Sequence, residues 1–194
     1  SFMKEVTFDF EQLFLSESLE ESMNQNHVFI MGLARSGTTA ILNQLYSSGE
    51  FACLTYEDMP FIMAPNLWQK IYGKFIRKNK FKQERAHGDG IIIDISSPEA
   101  FEEVFWSTFE KNSRSNLEIK SVDDDLKENF QRFICSILTK DKKNRYLSKN
   151  NSNIVRLNLI RGIFPKAIIL LPFRDPLQHA NSLLNQHKRF CESQ

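Results

Sequence analysis

The stretch from His27 to Tyr46, HVFIMGLARSGTTAILNQLY, constrains the fold more than any other part of the chain. Val28 to Met31 is a short apolar run containing β-branched and aromatic residues, which reads as a strand. Gly32 and Gly37 then punctuate a loop. From Thr38 onward the apolar residues Ile41, Leu42 and Leu45 recur at helical spacing. Strand, glycine loop and helix in that order open an α/β layer fold, provided that strands and helices go on alternating.

They do alternate. Phe51 to Leu54 is a short apolar stretch that fits a strand, and Ile91 to Ile95 is a further strand candidate. Ser97-Pro98 then reads as the N-cap and first position of a helix carrying Phe101, Val104, Phe105 and Phe109. Ser121 heads another helix, with Asp123, Asp124 and Asp125 in its dipole-favoured first turn. Its apolar stripe runs through Val122, Leu126, Phe130, Phe133 and Ile137. The three aspartates therefore read as capping, not as metal ligands. Ile154 to Phe164 is a helix stopped by Pro165, Ala167 to Phe173 a buried parallel strand, and Asp175-Pro176 the start of a last helix. The expected architecture is a three-layer α/β sandwich with a central parallel sheet, one domain over residues 1–194.

Composition excludes some functions. With 194 residues, 41% of them hydrophobic, the chain can bury a substantial core. A net charge of +1 gives no global electrostatic case for nucleic acid or an anionic membrane, so an anion site has to be local. Cys53, Cys135 and Cys191 are odd in number and far apart, which argues against a disulfide framework or a zinc site and for a reducing compartment. The longest apolar run, Ala167 to Phe173, falls well short of the ~20 residues of a spanning helix, and SFMKEV is not a signal peptide. A cytoplasmic location without a transmembrane segment is the expectation.

In open α/β sheets ligands sit beyond the carboxyl ends of the strands, where two loops of this chain are expected: Gly32 to Thr39 and Arg174 to Pro176. Backbone N–H groups of Ser36 to Thr39 at a helix start, with the hydroxyls of Ser36, Thr38 and Thr39, suit a phosphate. Gly37 lets the backbone come close. Compared with the nucleotide loop GxxxxGK[ST], Gly32 and Gly37 have the right spacing, but Thr38 stands in the lysine position. That lysine serves the β and γ phosphates of a triphosphate. The long cation here is Arg35, so the loop suits a single 5′ phosphate bearing a transferable substituent.

Gly-x-x-Arg-Ser-Gly-Thr-Thr after a strand and before a helix resembles the 5′-phosphosulfate loop of sulfotransferases, which use 3′-phosphoadenosine 5′-phosphosulfate (PAPS). The arginine is similar to that of the tyrosylprotein and several bacterial branches. AIILLPFRDPLQHANS strengthens the resemblance, since it carries an arginine at a strand end and a serine eight residues on. The resemblance implies that Arg174 and Ser182 hold the 3′ phosphate, and that Arg35, Ser36, Gly37, Thr38 and Thr39 bind the 5′ phosphosulfate. It further implies PAPS as donor, the bisphosphate PAP as product, and no metal. A bidentate guanidinium and a hydroxyl are chemically sensible phosphate ligands.

Sulfuryl transfer relies on positioning and fixed cations, together with a base that takes the acceptor's proton. The carbohydrate and tyrosylprotein branches use a glutamate downstream of the loop cation. Glu57, 22 residues after Arg35, matches it, with Asp58 as the adjacent competitor and His87 in ERAHGDG as another candidate. Lys149 in LSKNNSN resembles the lysine of the family's Lys-x-Pro segment, although Asn151 replaces the proline. His179 lies near the expected 3′ site. Lys70 to Arg85, with seven cations and one acid, reads as a solvated helix and loop or as an attractor for an anionic acceptor. The acceptor is open among small molecule, glycan, lipid and peptide, and no nucleic-acid partner is expected. Two other readings remain: a P-loop kinase with a degenerate loop, and a non-catalytic nucleotide-binding module. Because family members continue with further helices, missing C-terminal helices are also expected.

Overall fold

The computed structural model describes residues 2–15, 24–76, 83–84, 92–110 and 124–192. Helix α1 (Phe2–Glu11) leads, through a 3-10 turn, towards β1 (Val28–Ile30), after which the glycine loop opens α2 (Thr38–Tyr46). There follow β2 (Phe51–Ala52), a 3-10 turn at Tyr56–Asp58, α3 (Pro65–Ile76), β3 (Gln83–Glu84), β4 (Ile92–Ile93), α4 (Glu103–Phe109) and α5 (Asp124–Asp141). The chain continues through β5 (Arg145–Lys149), a 3-10 turn at Asn151–Ile154, α6 (Leu157–Ile163), β6 (Ile168–Leu170) and α7 (Pro176–Glu192).

Four strands form a wholly parallel sheet in the order β2-β5-β1-β6. Val28, Phe29 and Ile30 pair with Leu147, Ser148 and Lys149 on one side and with Ile168, Ile169 and Leu170 on the other. Side chains alternate across the sheet as the strand period requires. Phe29 and Tyr146 face a large core with α4, α5 and α6, whereas Val28, Ile30 and Leu147 face a smaller one with Leu42 and Ile41 of α2. Helices therefore cover both faces, giving the expected three layers.

Three expectations are corrected. Ile92–Ile93 does not join the main sheet; it pairs antiparallel with Gln83–Glu84. Ser97-Pro98 does not start a helix, because Ser97 closes a turn on Asp94 and Pro98 bridges to Thr55, so α4 begins only at Glu103. β6 is parallel but lies at the sheet edge, with Ile168 42% exposed, and so is not the buried strand its apolar run indicated. The long helix bears its apolar stripe as expected, with Phe130, Phe133 and Ile137 buried, and Asp124 and Asp125 in its first turn. Residues 121–123 lie outside the described residues.

The main core is an aromatic cluster centred on Phe130, whose ring lies 4.4 Å from Trp106, 5.2 Å from Phe105, 6.0 Å from Phe164 and 6.4 Å from Phe29 between centroids. Buried Glu11, at the end of α1, accepts hydrogen bonds from the backbone N–H of Asn66 (2.8 Å) and Leu67 (3.0 Å) at the start of α3. It thereby satisfies helix-end donors that would otherwise lack partners. Burial dominates these favourable bonds and raises its pKa. At the opposite end of the chain, α7 buries none of its residues and exposes Leu177 and Leu184.

Because Phe130 is fully buried among four rings, Phe130→Ala should lower unfolding free energy by about 3–5 kcal/mol through lost transfer energy and a residual cavity. Urea unfolding checks this; a loss below about 1 kcal/mol would show that the cluster repacks around the gap.

Candidate functional site

Parallel strands deliver all their following loops to one edge of the sheet, and here that edge collects the residues singled out in the sequence. In strand order it carries Glu57 after β2, Lys149 at the end of β5, the glycine loop after β1, and Arg174 after β6. Adjacent strands stand ~4.8 Å apart, so the row spans roughly 15 Å, a length suited to an extended small ligand.

The glycine loop folds tightly on itself. Ser36 donates from both its N–H and its hydroxyl to the Leu33 carbonyl, at 3.3 and 2.8 Å. Its side chain is thus buried and turned onto its own backbone, while Thr38 is buried and Thr39 half-buried. The first intrahelical bond of α2, Ile41 N–H to Gly37 carbonyl at 3.2 Å, leaves the N–H groups of residues 37–40 ahead of the helical ladder. Gly37 has φ 97°, and a side chain there would meet nothing within 4 Å, so the space beside Gly37 itself is open. Arg35 adopts φ 70°, a left-handed conformation that costs a non-glycine residue of order 1–3 kcal/mol.

The second loop meets the first. A Cβ on Gly32, whose φ is 145°, would stand 3.3 Å from the Pro172 carbonyl oxygen, so glycine permits the close approach of the two segments. Arg35 donates from Nε to Ser182 Oγ at 3.1 Å, and His179 donates from Nε2 to the Ala34 carbonyl at 2.7 Å. Arg174 is exposed and donates to Gln178 at 3.3 Å, while Asp175 caps α7 by accepting from the Gln178 N–H at 3.0 Å. Ser182 is therefore next to Arg35, while Arg174 is tethered to Gln178, one turn further along the chain.

Lys149 is buried and stands opposite Ile30 at the end of the central strand pair. The segment after it is fixed by polar contacts. Asn150 accepts from the Ser152 N–H at 2.9 Å and donates to Glu103 at 2.8 Å; Asn153 donates to buried Glu102 at 2.6 Å. Asn151 Oδ1 is buried without a hydrogen-bond partner, an acceptor available to a donating ligand group.

Glu57 and Asp58 separate sharply. Glu57 is exposed in the 3-10 turn, and its pKa is raised by partial desolvation and then by the neighbouring Asp58 charge, against an opposing effect of Lys140. Asp58 is buried and accepts from Thr55 N–H at 2.8 Å and from Lys140 Nζ at 2.8 and 3.0 Å. Its carboxylate is engaged in structure, so the expected competitor is unavailable to an acceptor. His87 lies outside the described residues, as do five of the seven cations of the basic stretch 70–85. Among the described residues no group of three or more His, Cys, Asp or Glu is arranged to hold a metal, and no helix is long and apolar enough to cross a membrane.

A model of the sulfotransferase family matches residues 27–191. The chain belongs to the sulfotransferase family. Its fold is similar to that in the crystal structure of the sulfotransferase STF1 from Mycobacterium tuberculosis, with a TM-score of 0.52 at 16% identity. That match covers 88% of this chain and 50% of the mycobacterial chain, so this chain spans about half the length of its solved relative. A comparison with curated proteins found no match.

Within this sulfotransferase-family edge, backbone donors, two arginines, a buried lysine and a raised carboxylate can together bind anions and accept a proton. The contact of Arg35 with Ser182 and the anchoring role of Lys140 were not legible in sequence. Both depend on how helices pack over the sheet, and only the spacing of Arg174 and Ser182 hinted at the first.

Gly32→Ala should destabilise the protein by about 1–3 kcal/mol, since it combines an unfavourable φ with a close carbonyl. Chemical denaturation measures it, and an unchanged midpoint would mean that the loops do not press together.

Proposed function

We propose that the protein is a sulfotransferase that moves the sulfuryl group of PAPS to a hydroxyl or amine acceptor. The observation that supports this most directly is the junction of the two anion loops through Arg35 and Ser182, residues 147 apart in sequence. A donor phosphorylated at both 3′ and 5′ positions needs two cationic loops beside one another. In this reading the N–H groups of Gly37, Thr38 and Thr39 and the Thr hydroxyls bind the 5′ phosphate, with Ser36 shaping the loop. Arg174 and Ser182 take the 3′ phosphate. Ser182 Oγ, which accepts from Arg35, retains its own O–H for a phosphate oxygen.

PAPS supplies an activated sulfuryl group. Glu57 takes the proton of the acceptor hydroxyl as that oxygen bonds to sulfur, the bond from sulfur to the bridging oxygen breaks, and PAP leaves. Arg35 and Lys149 stabilise the negative charge that gathers on the bridging oxygen, the electrostatic role that fixed cations perform best in a partly buried site. The acceptor itself is a small molecule, glycan, lipid or peptide.

Adenosine 3′,5′-bisphosphate without magnesium should raise the melting temperature of the full-length protein more than ATP with magnesium does, and Arg174→Ala should abolish that rise. A preferential response to ATP would instead favour a kinase. Glu57→Gln should keep bisphosphate binding and lose sulfuryl transfer by roughly 10²–10⁴-fold, the usual contribution of general base catalysis. Bisphosphate binding without turnover in the wild-type protein would identify a binding module.

The raised pKa of Glu57 also fixes a pH dependence. The ionised carboxylate is the base, so kcat/KM falls as pH drops through its pKa. Desolvation moves this limb above the ~4.3 of a solvated glutamate. A pH profile in wild type with its acid limb at or below that value would place the base elsewhere.

A further inference from the structure

Asp58, the carboxylate next to Glu57, and Lys140 form the most buried ion pair near the site among the described residues. Their side chains are 5% and 6% exposed, and Lys140 Nζ lies 2.8 Å from Asp58 Oδ2. Lys140 sits in the last turn of α5, and Asp58 closes the 3-10 turn that carries Glu57. The same ammonium donates to the Cys53 carbonyl at 3.2 Å and pairs with Asp141 at 3.3 Å. Asp141 in turn accepts from the Cys53 N–H at 3.0 Å, and Asp58 accepts from the Thr55 N–H at 2.8 Å. Apart from the Lys140–Asp141 pair within α5, every contact in this set joins the segment from Cys53 to Asp58 to itself or to the end of α5.

We propose that Lys140 is a positioning residue for sulfuryl transfer: with Asp58 it clamps the turn after β2 so that Glu57 is presented to the acceptor at the carboxyl edge of the sheet. The proposal rests on the reading of Glu57 as base. Glu57 is exposed in a three-residue turn, and a turn so short owes its orientation to what holds its flanks. Trp68 adds one more tether, its indole N–H donating to the Glu57 carbonyl at 3.0 Å. A base misplaced by an ångström loses much of its rate advantage, so the clamp acts on catalysis as well as on stability.

The charges around Glu57 give the clamp a distinct signature. Asp58, Asp141 and Asp94 raise its pKa, and Lys140 is the cation that lowers it. Burial alone would depress the pKa of Lys140, but Asp58 and Asp141 outweigh it and hold the ammonium charged. Nearby Tyr46, pushed up to about 12 chiefly by burial, and Cys53, raised by burial, stay neutral.

The test uses the full-length protein with Lys140→Met and the double variant Lys140→Met/Asp58→Asn, whose amide can still accept from the Thr55 N–H. Lys140→Met should lower kcat at least tenfold, leave bisphosphate affinity within threefold of wild type, and move the acid limb of kcat/KM to higher pH. In the double variant the like charge is gone too, so the limb should return towards wild type while kcat stays reduced. Where the single variant does not fold, the double variant decides, because it leaves no unpaired buried charge at this pair. Wild-type kcat in the double variant would overturn the proposal and leave the pair a purely structural one. Loss of melting temperature with kcat and pH limb unmoved would do the same. The underlying assignment fails separately, by full activity in Glu57→Gln.

Discussion

The parallel ladder that seats β5 between β2 and β1 sends four strand ends to one edge, and every residue proposed for chemistry depends on that alignment. Without β5 the glycine loop and the Glu57 turn would belong to strands with nothing between them. With it, Lys149 stands opposite Ile30, two residues before the first loop glycine, and the bonds of Asn150 to Glu103 and of Asn153 to buried Glu102 hold the strand's exit. The two cores flanking the sheet make this placement rigid: Tyr146 enters the aromatic cluster on one face, and Leu147 packs with Val28 and Ile30 on the other.

How much of this was legible in the sequence follows from where the signals reside. The glycine loop, α2, the Phe130 helix and the Asp175-Pro176 cap are written in local chemistry, and the structure has them where the residues imply. β5 was missed. Its five residues, RYLSK, start and end with cations, so neither an apolar run nor a clean alternation marks it, although it is flanked by strands on both sides. Ile91 to Ile95 has the opposite character: strong β propensity that is satisfied by a small antiparallel pair, because propensity does not choose the partner. β6 reads as buried for its apolar content but lies at an edge, which hydropathy cannot distinguish from a centre.

The acidic pair Glu57-Asp58 shows why neighbouring residues of like type need tertiary context. Sequence offers two carboxylates one residue apart, both able to accept a proton. Packing separates them, because a buried lysine and a backbone N–H take one carboxylate and leave the other at the surface. The engaged charge then acts on its neighbour: Asp58 disfavours a second negative charge nearby and Lys140 moderates the effect. One ion pair thus bears on the orientation of the turn and, after desolvation, on the proton affinity of the residue it presents.

Arg35 carries the corresponding lesson for the cationic side. A non-glycine residue at φ 70° persists only where its surroundings over-determine it, and here the Leu33–Ser36 turn, the contact of Gly32 with Pro172 and the bonds from α7 all act on the same loop. α7 buries none of its residues, so these side-chain bonds are a large part of what attaches its first half to the sheet. The loop and the helix are therefore mutually dependent. The glycine loop fixes where Ser182 stands, and Ser182 in turn holds Arg35 in a conformation that its backbone alone would not choose.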